Sequence, residues 1–211
     1  EAIAALANLN FAGLQAYHGG AQHIRDFAER RSAALSAAEK AGATKALIEG
    51  AGLSCERVSG AGTGTYRFEP ESGVYDEIQA GSYIFMDADY GRNLDEGGAA
   101  VSDFEHSLHI LATVLSRPDP GRCVVNAGLK ALSVDSGMPV VDGAEGVLYV
   151  GASDEHGKIE FGESNHGFDP GQRVRLVPGH CDPTVNLYDW IVGYRGNRVE
   201  ALWPVAARGA F

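Results

Sequence analysis

Lysine is scarce in this sequence. Only Lys40, Lys45, Lys130 and Lys158 occur among 17 basic residues in a chain of 211. Acidic residues number 28, so the formal net charge is -11. Nucleic-acid binding needs Lys and Arg clustered against phosphates, and this balance argues against it. Cysteine is scarce too: Cys55, Cys123 and Cys181 lie far apart and form no CxxC pair. That argues against a disulfide scaffold or a cysteine-rich zinc site, and it fits a reducing cytoplasm. No apolar run is long enough to span a bilayer, and no basic start with an apolar middle marks a signal peptide. What is plentiful is apolar residues, at 45%, and glycine, at 28 residues. Such a chain can bury a core and turn often.

The spacing predicts two regions, residues 1–103 and 104–211. The first alternates helix and strand. Glu1 to Leu6 reads as the tail of a helix, and Leu9 to Tyr17 as a buried strand. Ile24, Phe27, Ala28, Leu35 and Ala38 then recur at helical spacing, with Gly42 as the expected stop. A shorter helix is expected from Lys45 to Ala51. Strands are expected at Cys55–Ser59 and Ile78–Met86. Beyond Asp103 short β-rich runs take over: 108–115, 123–126, 147–150, 159–161, 174–177, 185–194 and 199–203. The fold class expected is therefore α/β plus β. The strand–helix alternation belongs to a parallel sheet or barrel, and three strands are too few for a whole barrel. We expect the chain to be the C-terminal part of a longer protein.

Five stretches could carry chemistry. Gly60 to Tyr66 reads GAGTGTY after a strand. Its glycines let backbone N–H groups converge, and its threonines add donors, so the turn could cradle a phosphate or be an ordinary turn. Tyr83 follows Gly81 near a strand end, where a phenol can donate to an anion. The nearby Asp87 and Asp89 read as solvated carboxylates. In PGHCDPT, an extended backbone would put His180 and Asp182 on one side and Cys181 on the other. An imidazole and a carboxylate are two ligands of an open metal site; the plain alternative is a turn capped by Asp182. Ser153 to Gly157 reads as a β-turn. Tyr17, His18 and His23 sit at a strand end just before a helix, the position that carries active sites in βα barrels. His106, His109 and His166 read as structural or surface residues.

The ordered series AYHGGAQH, VSGAGTGTY, EIQAGSYIFMDADY, VNAGLKALSVDSG, SDEHG, VRLVPGHCDPTVNLYDW and LWPVAARG resembles the D-threonine aldolase family. That family includes 3-hydroxy-D-aspartate aldolases and neighbours the eukaryotic-type D-serine dehydratases. The resemblance runs from Leu9 to nearly the end. It implies an alanine-racemase-like architecture: a PLP-binding βα barrel followed by a β domain, usually as a homodimer. It implies pyridoxal 5'-phosphate and a divalent cation (Mn, Mg, Co or Zn) as cofactors. Tyr17, Gly62, Thr63, Gly64, Thr65 and Tyr83 would lie at the pyridoxal phosphate. His180 and Asp182 would bind the metal. His23 would lie near the reacting hydroxyl, with Asp154 or His156 reaching the substrate from the β domain. The family's cofactor-anchoring lysine sits on an early barrel strand, and none of the four lysines here stands in that motif.

The implied reaction is retro-aldol cleavage of a D-β-hydroxy amino acid, D-threonine or 3-hydroxy-D-aspartate, to glycine and an aldehyde. Arg67, Arg92 and Arg208 are candidates for a substrate carboxylate. The related dehydratases pair the histidine with a thiolate two residues on, where this chain has Asp182. The alternatives are a dehydratase-like β-elimination and a non-catalytic fragment that binds phosphate or a partner.

Overall fold

A computed structural model of the chain describes residues 2–162 and 167–209. His166 lies outside the described residues. The chain divides into two compact units. One comprises the residues up to Ile84 together with Tyr90–Phe104; the other comprises Phe85–Asp89 and the residues from Glu105 on.

The first unit contains β1 (Gly13–Gln15), α1 (Phe27–Gly50), β2 (Arg57–Gly60), α2 (Phe68–Glu71) and β3 (Glu77–Ile78). The strands form a parallel sheet in the order β1-β2-β3, with Leu14 opposite Val58 and Ser59 opposite Glu77. Parallel neighbours need a crossover, and α1 supplies the first one. Asp26 starts this helix: its carboxylate accepts the Glu29 N–H at 2.9 Å, with an acid again at the third helical position.

Gly42 does not stop the helix. A Cβ there would come within 3.2 Å of Val74 Cγ2, so this glycine serves close packing. The stop is at Gly50, followed by Gly52 in the left-handed region at φ 82°. The separate helix expected from Lys45 is its last turns. Its buried residues are Arg30, Ala34, Ala38 and Ala41, a narrow small-residue stripe headed by one guanidinium rather than a line through Phe27 and Leu35.

Other expected strands shorten. The strand expected over Leu9–Tyr17 is three residues long, and the helix tail expected before it is one 3-10 turn, Ile3–Ala5. The strand expected over Ile78–Met86 ends at Ile78, and a 3-10 turn, Ser82–Ile84, follows. The reason is local: the Tyr83 N–H donates to the Thr63 hydroxyl at 3.0 Å, not to a strand ladder.

The second unit is a closed barrel of six strands: β4 (Ile110–Asp119), β5 (Arg122–Val125), β6 (Val140–Val141), β7 (Leu148–Ala152), β8 (Gly157–Glu160) and β9 (Arg173–Val177). Around the ring the order is β4-β5-β8-β7-β6-β9, each pair antiparallel. Period-2 alternation builds it. Val174 and Leu176 point into the core, while Arg173 and Arg175 point out. Val114, Val125, Leu132 and Ile159 fill the same core. Tyr149 is buried there with its hydroxyl donating to the Ala127 carbonyl at 2.7 Å, and burial pushes its pKa up to about 12. Closure leaves no unpaired strand edge in the ring.

Two further elements differ from expectation. Residues 181–185 form a short helix, α3 (Cys181–Val185), so the strand expected from Val185 starts only at β10 (Trp190–Arg195), which pairs with β11 (Arg198–Pro204). Pro183 is tolerated because first-turn N–H groups have no partner inside a helix. Asp87 and Asp89 are buried, not solvated. The Asp87 carboxylate accepts the Cys181 N–H at 3.0 Å, and the Ala88 and Asp89 N–H groups donate to Pro178 and Gly179 carbonyls. The expected fold class, parallel βα units followed by a mainly β domain, is the one found. No helix among the described residues is long and apolar enough to cross a membrane.

Candidate functional site

The glycine turn follows β2. It opens at Ala61, held at φ 62°. That left-handed conformation costs a residue with a Cβ roughly 1–2 kcal/mol. Strain of this kind gathers where a backbone is held for binding. A Cβ on Gly62 would collide with the Gln22 side chain, and one on Gly64 would collide with the Gln22 backbone. The turn therefore presses directly on Gln22, which is fully buried.

The hydrogen bonds divide the turn into two parts. Thr65 is committed inward: its hydroxyl donates to Glu69 Oε1 at 2.6 Å and accepts from Gln22 Nε2 at 2.9 Å. The Gly64 N–H donates to Gln22 Oε1 at 3.0 Å. Thr63 is different. Its oxygen accepts the Tyr83 N–H, which leaves its own proton for an external acceptor. Tyr17 comes to the same place, since its hydroxyl would lie 2.9 Å from a Cβ on Gly62. The Tyr83 ring packs on Phe104 at 5.2 Å, and half of the side chain is exposed. Five of the six residues expected at a phosphate thus stand at one turn, with Tyr83 bonded to it through the backbone. Thr65 acts as its internal strut.

Arg30 holds this region from α1. It is 3% exposed. Its guanidinium donates to the carbonyls of Ile24, Arg25, Gly64 and Leu94, at 2.7 to 3.0 Å. Among the described residues no carboxylate pairs with it directly, and burial lowers its pKa against the opposing charge of Asp26. Gln22, Arg30 and Glu69 were not among the residues expected at the site, because burial of a polar group depends on partners distant in sequence. Gln22 lies beside His23 in the quoted motif, which was the one available signal. His23 is exposed, with its ring 5.0 Å from that of Tyr90.

In the second unit His180 occupies the position just before α3, with an extended backbone. The extended backbone assumed for it is absent after position 180, yet the pair still meets: His180 Nε2 is 3.4 Å from Asp182 Oδ2. The other ring nitrogen, Nδ1, is 2.7 Å from Asp135 Oδ2. Asp135 is held by the Ser133 hydroxyl at 2.5 Å. Burial works against the His180 charge, but Asp135, then Asp182 and Asp87, outweigh it and raise the pKa. Burial also opposes the Asp135 charge, and Ser133 and His180 outweigh it, so that carboxyl titrates low.

A carboxylate on one imidazole nitrogen fixes the tautomer and turns the other toward a cation. The donor set fits a divalent ion held by His180 and Asp182, with Asp135 behind. No cluster of three or more metal-ligating side chains occurs among the described residues. A cation there would keep open positions. Asp135 lies in the quoted motif VNAGLKALSVDSG, but nothing in its spacing assigned it a partner.

The remaining candidates are more peripheral. Asp154 and His156 are exposed in the turn between β7 and β8, where the Ser153 N–H donates to the His156 carbonyl at 2.8 Å. Lys130 pairs with Glu155 at 2.8 Å. Arg67 is tied to Asp103 and Arg208 to Asp189, and Arg92 is the exposed end of the 3-10 turn Tyr90–Arg92, in which Tyr90 is buried. His106 lies 3.2 Å from the Asp87 carbonyl. His109 is 3.7 Å from Asp142, and its buried Nδ1 has no hydrogen-bond partner among the described residues.

Comparison with known proteins follows the whole chain. The family described as "Putative serine dehydratase domain" matches residues 107–194. The 3-hydroxy-D-aspartate aldolase of Paracoccus denitrificans (strain Pd 1222) is 48% identical over 211 residues, covering 99% of this chain and 54% of the relative. The D-threonine aldolase of an Arthrobacter species is 45% identical over 204 residues, covering 97% of this chain and 53% of the relative. The crystal structure of D-threonine aldolase from Filomicrobium marinum matches with a TM-score of 0.92 at 45% identity, covering all of this chain and 56% of that one. The chain spans about half the length of these relatives, and along that half it is similar to D-threonine and 3-hydroxy-D-aspartate aldolases.

Proposed function

We propose that the protein is a lyase dependent on pyridoxal phosphate and a divalent cation. It cleaves a D-β-hydroxy amino acid, D-threonine or 3-hydroxy-D-aspartate, to glycine and an aldehyde. The carrying observation is the identity to named aldolases along nearly all of this chain. The geometry of two places supports it.

The turn at Gly62–Thr63 and the Tyr17 hydroxyl would hold the cofactor phosphate. Thr63 offers its free hydroxyl proton, and the turn's backbone is held rigid from behind. Pyridoxal phosphate supplies an electron sink for the carbanion left at Cα. His180 Nε2 and Asp182 would hold the cation, with Asp135 fixing the ring. A cation held there would supply Lewis acidity toward the substrate's hydroxyl. His23, exposed and poised on Tyr90, is the base proposed to take that proton, directly or through water. Asp154 and His156 are proposed to meet the substrate from their turn. The working form is proposed to be a homodimer.

A β-elimination is the second reading, favoured by the serine dehydratase family match at residues 107–194. The carboxylate of Asp182, at the offset where the related dehydratases carry a thiolate, favours the aldolase. The full-length protein, supplied with each D-amino acid and Mn, should release glycine and aldehyde and lose this activity to a chelator. Release of ammonia and a keto acid instead of glycine would establish the dehydratase. Light scattering of the same preparation checks the dimer.

A further inference from the structure

We propose that Glu69 is a positioning residue for the cofactor phosphate, acting through Thr65 and Gln22 on the backbone of the glycine turn. This inference rests on the reading of that turn as a phosphate cradle.

The three side chains are almost wholly buried: Gln22 at 0%, Thr65 at 1% and Glu69 at 1% exposed. Their hydrogen bonds run in one direction. The Thr65 hydroxyl has a single proton, and Glu69 Oε1 takes it at 2.6 Å. The Thr65 oxygen can then only accept, and it does so from Gln22 Nε2 at 2.9 Å and from the Gly62 N–H at 3.4 Å. Gln22 Nε2 also donates to the His18 carbonyl at 3.3 Å. With both amide protons placed, Gln22 must turn its oxygen to the Gly64 N–H, which donates to it at 3.0 Å.

Every link depends on the one before it. If Glu69 did not accept, the Thr65 proton would be free to point at Gln22. A flip of the amide would not relieve that clash, since it would set the NH2 group against the Gly64 N–H and the oxygen against the His18 carbonyl. Gln22 would have to draw away from Thr65, and the Gly64 N–H that it holds would shift with it. Glu69 therefore keeps the Thr65 lone pairs, not its proton, toward Gln22 and Gly62.

An acid is an odd choice for this place, because it lies behind a turn read as an anion site. Its second oxygen, Oε2, is buried and makes no hydrogen bond among the described residues. A carboxyl that only had to fill space would be cheaper as a methionine. Burial pushes the Glu69 pKa up, against the Thr65 hydrogen bond, its own backbone N–H and the His18 charge. A residue kept there at such cost has an acceptor task, and Thr65 is the donor it serves. The task needs an acceptor, not a charge.

The test compares pyridoxal 5'-phosphate with pyridoxal, which lacks the phosphate, as ligands of the full-length protein. Glu69→Met should weaken pyridoxal phosphate about tenfold or more, the scale of one lost buried hydrogen bond. Pyridoxal should bind as before. Glu69→Gln should restore pyridoxal phosphate affinity, since an amide oxygen accepts the Thr65 proton equally well. Thr65→Val should reproduce Glu69→Met, and the double variant should be no worse than Thr65→Val alone. The phosphorus-31 shift of the bound cofactor should move in Glu69→Met and return in Glu69→Gln. Should Glu69→Met fail to fold, Thr65→Val and Glu69→Gln carry the same comparison.

Equal weakening of both ligands by Glu69→Met would reduce Glu69 to a structural residue and overturn the inference. So would unchanged affinity for pyridoxal phosphate in Glu69→Met. A wild-type protein that bound pyridoxal phosphate no better than pyridoxal would overturn the cradle reading, and this inference with it.

Discussion

The two units are held together by different materials. The β barrel has an ordinary apolar core, in which Val114, Val125, Leu132, Ile159 and Leu176 are each almost fully buried. The βα unit buries Gln22, Arg30, Thr65, Glu69 and Asn93 almost as completely. Its order comes from directed hydrogen bonds: Arg30 to four carbonyls, and Asn93 Nδ2 to the Gln22 carbonyl at 2.9 Å. Apolar contact is tolerant of direction, and hydrogen bonds are not. A unit that must hold a turn's N–H groups at fixed angles gains from the second kind of material. The ring of strands only has to close, and where the second unit holds His180 it too turns to buried polar groups, Asp87 and Thr184.

This contrast can be broken by mutation. The largest effect should come from Leu132→Ala in the barrel core, about 2–5 kcal/mol of stability, read by denaturant unfolding. If polar order matters as much in the first unit, Arg30→Met should cost about 3 kcal/mol, because carbonyls of Ile24, Arg25, Gly64 and Leu94 lose their donor. A cost below about 1 kcal/mol would mean that the network is incidental. Arg30→Lys should recover little of it, since an ammonium cannot reach four carbonyls with a planar fork.

Next in size is the metal. Asp135→Ala should weaken a divalent ion by about 10–100-fold, the usual cost of losing the partner behind a histidine ligand. Titration calorimetry with Mn would measure this. An unchanged affinity would leave Asp135 a mere surface partner of His180.

The smallest effects distinguish the units by the sign of their pH response. Burial lowers the His109 pKa from 6.5, against the pull of Asp142 and with Arg175 and His106 adding to the lowering. The folded barrel prefers the neutral ring, so His109 contributes stability that is present above pH 6.5 and lost as pH falls below it. His109→Gln should flatten that acid-side loss. Glu69 behaves oppositely: burial raises its pKa, so its contribution is present in acid and lost as pH rises through the folded value. Glu69→Gln should therefore raise the melting temperature increasingly with pH. Identical pH curves for wild type and both variants would show that neither group titrates with folding.

Much of the barrel was legible because alternation is a short-range signal. Arg173 and Arg175 alternate with Val174 and Leu176, and the pattern alone assigns the inside. The same logic failed in the first unit. Nothing local marks Arg30 and Glu69 as buried, and Asp87 and Asp89 in the second unit read as solvated, because burial of a charge depends on partners far away in sequence. Arg30 reaches Leu94 across 64 residues, and Asp87 reaches Cys181 across 94. Gly42 misled for a related reason. A glycine that stops a helix and one that admits Val74 look alike until the neighbour is known.

For the candidate site, the residue types and their order along the chain already carried the chemistry: a glycine–threonine turn after a strand, and an imidazole two residues before a carboxylate. These are local facts, and sequence by itself determined them. Only the tertiary structure decided that Thr65 faces inward to Glu69 while Thr63 keeps a proton to give, and that Asp135 stands behind His180. The physical reason is that a side chain's role depends on which of its few donors and acceptors are already spent, and the groups that spend them come from distant parts of the chain.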